Sequence, residues 1–194
     1  LKSLLFNAKD TTTASRLDSL KGVKLEDIIV SKVIHNSYNV YENYLTINSG
    51  ERDGVKPDMG VINDQGIVGI IENTSPKYAT VISILNKRTQ INAKIKKSDH
   101  FGSLNWNGKS TGFVQLTDLP RLALIKIGDT IVTGGQSVIF PETINIGTIA
   151  KIYRDTQTNF YTLDVKLFND MTNVGHVYII KSKDRDEVLN LEKR

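Results

Sequence analysis

From Ile28 onward the chain is a succession of short segments in which apolar side chains alternate with polar ones. This period of two is typical of β-strands with one buried face, because successive side chains of a strand point to opposite sides of the sheet. Gly, Asn, Asp, Pro or Ser separates each segment from the next, and short strands at such regular spacing are typical of antiparallel sandwiches and barrels. The pattern therefore predicts an all-β fold.

The composition favours the same fold class. Ile, Val and Thr number 22, 15 and 17 of 194 residues. Their branched side chains lose rotamer freedom in helices but pack well on a pleated sheet. Twelve strands are predicted, at Ile28–Ile34, Tyr44–Asn48, Gly60–Asn63, Gly66–Glu72, Ala79–Leu85, Ile91–Lys96, Gly102–Asn105, Gly112–Leu116, Thr130–Thr133, Ile146–Tyr153, Tyr161–Leu167 and Val177–Lys181. Because twelve short strands are too many for one ordinary sheet, we expect two small six-stranded antiparallel barrels.

A weak internal repeat supports two similar units. The segment 55–62 has a turn with an acidic residue and then an apolar strand, and a strand interrupted by Gly69 follows. The segment 125–132 has the same order, followed by a strand interrupted by Gly147. An isolated glycine within a strand indicates a bulge or a tight bend of a barrel.

The two ends of the chain differ from its middle. Leu1, Leu4 and Leu5 have the spacing of one helical face, so residues 1–27 are predicted to be a helical leader, either frayed or the end of a longer coiled coil. In the second case these three leucines would drive self-association. Residues 184–194 are predicted to be a charged tail.

Several function classes are excluded by composition. The chain has no cysteine, which excludes a disulfide scaffold, a thiol enzyme and a zinc site with cysteine ligands. Its 25 basic and 21 acidic residues are interspersed, whereas binding of nucleic acid needs Lys and Arg gathered on one face. We therefore expect no nucleic-acid partner.

No catalytic, cofactor or metal site is predicted. His35, His100 and His176 lie far apart in the sequence and form no metal-ligating motif. A pair of β-barrels raises the option of a chymotrypsin-like protease, whose nucleophile needs a glycine-lined loop to build the oxyanion hole. The best match, the segment 134–137, lacks the acidic residue and the following glycines.

Tyr38, Tyr41 and Tyr44 recur at every third residue in a segment that contains several Asn. Clustered exposed tyrosines provide rigid contact area, so one interpretation is a partner surface. The other is that the rings fold back and close the end of a barrel. The sequence leaves both interpretations open.

Several spaced motifs resemble the rod-shape-determining MreC family. The segment 43–61 contains Asn-x-Gly, then Asp-Gly-Val, then Met-x-Val, and the similarity extends over about residues 28–181. Two positions depart from the family pattern: Gly134 stands where Ser is common, and Thr143 where Gly is usual. The residues that carry the resemblance are Asn48, Gly50, Gly54, Val55, Gly60, Gly66, Gly69, Gly128, Asp129, Thr133, Gly135, Phe140, Pro141 and Gly147.

The resemblance implies a non-catalytic, self-associating scaffold of bacterial cell elongation. It implies a membrane helix and a coiled coil before two extracytoplasmic barrels, one of them similar to a trypsin barrel without its triad. The implied partners are MreB, MreD and the penicillin-binding transpeptidases that synthesise peptidoglycan, and no cofactor is implied. This chain would then be the extracytoplasmic fragment of a protein anchored in the cytoplasmic membrane.

Two further expectations concern domains and an alternative function. We expect a discontinuous first barrel from residues 28–59 and 117–183, with a second barrel inserted at 60–116; two sequential barrels are the alternative. A periplasmic adaptor of the membrane-fusion type is the alternative function, because Lys126-x-Gly128-Asp129 followed by Gly147 also resembles lipoyl-like hairpins.

Overall fold

The structure is a computed structural model that describes residues 27–154, 158–181 and 191. These residues form twelve strands and a 3-10 turn at Glu51–Asp53. The strands are β1 (Ile28–Asn36), β2 (Glu42–Ile47), β3 (Gly60–Ile62), β4 (Ile67–Thr74), β5 (Ala79–Asn86), β6 (Ile91–Ile95), β7 (Phe101–Asn105), β8 (Phe113–Pro120), β9 (Thr130–Thr133), β10 (Asn145–Arg154), β11 (Phe160–Leu167) and β12 (His176–Ile180).

Each predicted strand has a counterpart here, so the predicted all-β class is confirmed. The strands close into two six-stranded antiparallel barrels, also as predicted. Barrel 1 has the strand order β1-β12-β3-β4-β5-β2, and barrel 2 has the order β10-β11-β8-β7-β6-β9. The predicted helical leader lies outside the described residues, as does the charged tail apart from Leu191.

The predicted division of the chain into barrels was wrong. Barrel 1 is discontinuous, but its strands come from 28–86 and 176–180, and the inserted barrel 2 occupies 91–167. The prediction had placed β3, β4 and β5 in the inserted barrel, whereas they pair with β12 and β2. Which strands pair depends on contacts between residues far apart in the sequence. The local alternation of side chains carries no information about these contacts.

The two barrels have the same pairing order. Starting from β3, the strands of barrel 1 follow as β4, β5, β2, β1 and β12; starting from β9, those of barrel 2 follow as β10, β11, β8, β7 and β6. In barrel 2 the strand equivalent to β12 is β6, which comes first in the chain. Barrel 1 therefore has the topology of barrel 2 with its first strand moved to the end of the sequence.

Local hydrogen bonds repeat as well. The Ile71 N–H donates to the Met59 carbonyl at 2.9 Å, and the Ile149 N–H donates to the Asp129 carbonyl at 2.9 Å. In return, the carbonyls of Ile71 and Ile149 accept the N–H groups of Asp58 and Gly128, both at 2.8 Å. The repeat indicated by the sequence thus corresponds to equivalent strand pairs, β3–β4 and β9–β10.

Gly69 and Gly147 occupy equivalent places in this repeat. A Cβ atom at Gly69 would lie 2.1 Å from the carbonyl oxygen of Ile82 on β5, and one at Gly147 would lie 2.0 Å from that of Lys166 on β11. Any other residue would force the strands apart, so both glycines are needed for the tight curvature of a small barrel.

Every second side chain of a strand points into the core of its barrel. On β2 the side chains of Asn43, Leu45 and Ile47 are buried, while the residues between them reach the outer face. All the buried apolar residues of both barrels except Val132 belong to one cluster. In the described part of the chain, no helix has the length and apolar character needed to cross a membrane.

We predict that Gly147→Ala lowers the free energy of unfolding by about 1–3 kcal/mol, because its methyl group would overlap the Lys166 carbonyl. Urea unfolding followed by the fluorescence of Trp106, the single tryptophan, measures this. Gly175→Ala is the matched control, since no atom lies within 4 Å of its added Cβ, and it should stay within about 1 kcal/mol of wild type. Equal stability of the two variants would contradict the prediction.

Candidate interaction site

Several motif residues lie where the two barrels meet. The loop of residues 134–144 joins β9 to β10 in barrel 2 and is called the junction loop below. Its Phe140 is buried against Gly60 of barrel 1, where an added Cβ would lie 2.6 Å from the Ile139 carbonyl oxygen and 2.7 Å from the Phe140 ring. Gly60 therefore lets the junction loop lie directly on β3.

A second contact between the barrels lies beside the first. A Cβ atom at Gly66, in the β3–β4 turn, would lie 2.3 Å from the carbonyl oxygen of Asn145 at the start of β10. The Asn63 side chain shapes this turn, because its Oδ1 accepts the N–H groups of Gln65 and Gly66 at 3.0 and 3.1 Å. Because Gly66 has no side chain, the two barrels can approach closely at this turn.

A buried amide ties the returning chain to barrel 1. Asn169 follows β11 and is 6% exposed. Its Oδ1 accepts a hydrogen bond from Asn63 Nδ2 at 2.8 Å, and its Nδ2 donates to the Ile67 carbonyl at 3.3 Å. A buried polar group that lost such partners would cost free energy, so these bonds fix where the chain leaves barrel 2.

The junction loop has its own internal hydrogen bonds. Thr133 Oγ1 donates to the Pro141 carbonyl at 2.6 Å and accepts the Ile144 N–H at 2.9 Å. Gly135 has a φ of +74°, and an added Cβ there would lie 2.8 Å from the side chain of Glu142. These motif residues therefore hold the loop in one conformation.

Thr143 explains one departure from the family pattern. Its φ is +75°, a left-handed conformation that favours glycine and is costly for a β-branched residue. The motif resemblance described above implies glycine at this position. The backbone thus keeps the conformation of a glycine although the side chain is threonine.

Lys94 holds the junction loop to barrel 2. It is 6% exposed, and its Nζ donates to Asp99 Oδ1 at 2.9 Å and to Glu142 in the loop. The bond to Glu142, and to a smaller extent the bond to Asp99, raises the pKa of Lys94, although burial opposes the charged form. The buried ammonium therefore stays charged and paired at neutral pH.

The motif residues after β2 stabilise barrel 1 itself. Asn48 Oδ1 accepts the Ser31 hydroxyl and the Lys32 N–H, at 3.2 and 3.0 Å. Gly50 lies so close to the carbonyl oxygen of Ser75 that a Cβ would be 2.2 Å away. Gly54 adopts a φ of +86° that ends the 3-10 turn, and Val55 after it is buried.

Gly128 and Asp129 form the turn before β9, which corresponds to the turn at Asp58 before β3 in barrel 1. Gly128 has a φ of +90°, and Asp129 Oδ2 accepts hydrogen bonds from the Lys126 N–H and from Lys97 Nζ, both at 2.7 Å. Partial burial favours the neutral carboxyl, but these bonds outweigh it and hold the pKa of Asp129 below its ordinary value. The carboxylate is therefore ionised at neutral pH.

The three tyrosines do not share one environment. Tyr44 is half-buried and its hydroxyl accepts a hydrogen bond from Arg88 at 3.0 Å, while Tyr38 is exposed. The Tyr41 ring lies against Gly108 of barrel 2, with the Lys87 ammonium 3.8 Å from its centroid. Tyr41 therefore belongs partly to the barrel junction. That the tyrosines bind a partner stays a prediction.

The described residues contain no group of His, Cys, Asp or Glu that is arranged to hold a metal ion. In the segment considered as a protease loop, the Ser137 hydroxyl accepts the N–H of Ile139 at 3.2 Å. Leu1, Leu4 and Leu5, proposed for self-association, lie outside the described residues.

Sequence reasoning missed Lys94 and Asn169. Both are polar residues whose types are mostly exposed in folded proteins, and their partners lie 48 and 106 residues away. No local pattern marks such residues as buried. Thr143 was noted as a position where the motif has glycine, but its positive φ was not predicted.

A family model matches the chain. The model for the barrel core of the rod shape-determining protein MreC matches residues 33–181. The cell shape-determining protein MreC of Listeria monocytogenes is 32% identical over 168 residues, which cover 85% of this chain and 57% of that protein. The Escherichia coli protein of the same name is 25% identical, with 89% and 47% covered. The chain therefore spans about half the length of these relatives.

Solved structures agree with this match. A structure of MreC from Listeria monocytogenes superimposes with a TM-score of 0.74 and 29% identity, and the match covers 93% of this chain and 90% of that one. The structure of MreC from Pseudomonas aeruginosa has a TM-score of 0.73 at 22% identity, with 79% and 98% covered. At 22% identity, this structural similarity shows only that the two proteins share a fold.

We predict that Thr143→Gly raises the free energy of unfolding by about 1 kcal/mol, because glycine adopts positive φ without steric cost. Urea unfolding again measures the change. Thr148→Gly on β10 is the matched control and should lower the stability by about 1 kcal/mol, since glycine weakens a strand interior. If Thr143→Gly destabilised the protein as much as the control does, the strain at Thr143 would be refuted.

Proposed function

The chain belongs to the MreC family of cell shape-determining proteins, and we propose that it acts as a scaffold of the bacterial cell-elongation machinery. The family is a structural one and not a family of enzymes. The observation that carries the proposal is that several motif residues lie at or beside the contact between the two barrels. Gly60, Gly66 and Phe140 lie at the contact between the barrels, and Thr133 and Gly135 hold the conformation of the junction loop that makes this contact.

The proposed partner is a penicillin-binding transpeptidase. Support comes from the solved complex between the penicillin-binding protein PBP2 and MreC from Helicobacter pylori, which has a TM-score of 0.60 to this chain at 15% identity, with 80% of this chain and 99% of that chain covered. A scaffold that positions an enzyme needs a fixed geometry, and the barrel junction supplies it. The proposal includes coupling of such synthases to MreB and MreD.

The proposed location is outside the cytoplasmic membrane, with attachment to that membrane by an anchor. A structure described as the major periplasmic domain of the cell shape-determining filament MreC has a TM-score of 0.69 at 21% identity, with 80% and 96% covered. Self-association through Leu1, Leu4 and Leu5 belongs to the same proposal, because their spacing forms one apolar helical face.

The partner surface that we propose lies on barrel 1, at the end of β1 and in the β1–β2 loop. Ile34, Tyr38, Val40 and Tyr41 are all exposed there, at 38–62% of their full area. Exposed apolar side chains that are neighbours in the chain indicate an interaction surface, and tyrosine is enriched at such interfaces. This set is called the β1 surface below.

The adaptor alternative is not carried forward. Of the residues on which it depends, Gly128 and Asp129 form the turn before β9, and Gly147 lies on β10 of a closed barrel. No contact of the described residues favours an adaptor over a scaffold.

The test is binding of this chain to the extracytoplasmic part of the elongation transpeptidase from the same organism, measured by biolayer interferometry. We expect wild type to bind, and Ile34→Ser with Tyr38→Ser and Val40→Ser to bind at least about tenfold more weakly, because apolar contact area is lost. Tyr41 is left unchanged because it also packs at the barrel junction.

The matched control carries Tyr78→Ser and Phe160→Ser and should bind like wild type. Both residues are exposed; Tyr78 precedes the start of β5, which pairs with the end of β2, and Phe160 pairs with Pro120 in barrel 2. Circular dichroism confirms that each variant is folded. Absence of wild-type binding would contradict the proposed partner, and equal loss in both variants would contradict the proposed surface.

A further inference from the structure

Barrel 2 has an apolar loop at the end that faces away from barrel 1. Residues 121–129 join β8 to β9 and are called the distal loop below. Leu122, Leu124 and Ile127 in this loop are 86%, 85% and 70% exposed. These are the highest exposures among the large apolar residues of the two barrels. Loop tips are ordinarily polar, so three such side chains together require an explanation.

The direction of two strands places the distal loop. β9 starts at this loop and ends where the junction loop begins, and the junction loop lies against Gly60 of barrel 1. β8 ends at the distal loop, and the turn before β8 carries Gly108, which lies against Tyr41 of barrel 1. Both of these contacts with barrel 1 are therefore at the end of barrel 2 that is opposite to the distal loop.

The loop has a defined conformation. The Arg121 N–H donates to the Asn159 carbonyl at 3.1 Å, and the Ala123 N–H donates to the Pro120 carbonyl at 3.0 Å. Ala123 is buried and Ile125 packs against the core, so the alternate residues Leu122 and Leu124 point outward. Their exposure thus follows from how the loop is held.

The charge of the loop is positive. The distal loop contains two basic residues, Arg121 and Lys126, and one acidic residue, Asp129. The Asp129 carboxylate is paired with Lys97 at 2.7 Å. Lys96 is exposed next to the loop, since its N–H donates to the Thr130 carbonyl at 2.9 Å. Lys126 in the loop and Lys96 beside it therefore place positive charge next to the exposed aliphatic side chains.

This combination fits a lipid surface better than a protein groove. Hot spots of protein interfaces are enriched in Trp, Tyr and Arg, while Leu is under-represented and Lys is depleted. Membrane-surface segments instead combine aliphatic side chains, which enter the acyl boundary, with Lys and Arg, which stay at the headgroups. Anionic lipids attract such cations over about a Debye length.

We propose that the distal loop is a membrane-surface contact that inserts Leu122, Leu124 and Ile127 into the interface of a bilayer rich in anionic phospholipid. Lys126 and Lys96 contact the lipid phosphates. The contact would hold barrel 2 against the membrane, in addition to any anchor elsewhere in the protein. It goes beyond the proposed scaffold function, which uses the β1 surface of the other barrel.

The test is flotation of the 194-residue chain with large unilamellar vesicles. One set contains phosphatidylglycerol and phosphatidylcholine, and the other contains phosphatidylcholine alone. Wild type should float with the anionic vesicles at low salt and much less with the neutral ones. Leu122→Ser with Leu124→Ser and Ile127→Ser should weaken partitioning at least about tenfold, because the aliphatic area is lost.

The matched control replaces three exposed apolar residues elsewhere, Val30→Ser, Tyr78→Ser and Phe168→Ser, and should float like wild type. Thermal unfolding by circular dichroism confirms that both triple variants are folded. Failure of wild type to float with anionic vesicles would overturn the proposal. Equal flotation with both vesicle types, or equal loss in both triple variants, would overturn it too.

A second measurement locates the inserted residues. Because the chain has no cysteine, Leu124→Cys can be labelled at a single site with an environment-sensitive fluorophore. Anionic vesicles should shift its emission to the blue, while the same label at Val30→Cys should not respond. If the triple variant of the distal loop instead lost binding to the transpeptidase and wild type ignored vesicles, the loop would be a protein-docking site and the proposal would be wrong.

Discussion

Closure of barrel 1 by β12 is the interaction on which the rest of the structure depends. β12 pairs with β1 on one side and with β3 on the other, so without it both of these strands would present free edges. This strand comes after the whole of barrel 2 in the chain. Barrel 2 is therefore held by two connections, one from β5 to β6 and one from β11 to β12, and barrel 1 is complete only when the chain has returned from it.

The contacts between the barrels follow from this arrangement. Two covalent connections bring barrel 2 close to β3, and Gly60 and Gly66 let the backbone of barrel 2 come into direct contact with it. Phe140 and the amide pair of Asn63 and Asn169 then fill the remaining space. Such a junction fixes the orientation of one barrel relative to the other, as the proposed scaffold function requires.

Local signals in the sequence were enough to locate the strands. Alternation and turn residues predicted all twelve strands, because both depend on neighbouring residues. The assignment of strands to barrels depends on register over long distances, and there the prediction for 60–116 and 117–183 was wrong. The exposed side chains of Leu122 and Leu124 were also missed, because in sequence they look like any apolar segment beside a strand.

The central claim is that the two barrels form one cooperative unit, because barrel 1 closes through β12 and both barrels share an apolar cluster. Native-state hydrogen exchange at increasing urea concentration tests it most directly. The account predicts that the slowest amides of β4 in barrel 1 and of β10 in barrel 2 converge on one free energy of opening. Opening of β10 at a distinctly lower free energy, while the β4 amides stay protected, would contradict it.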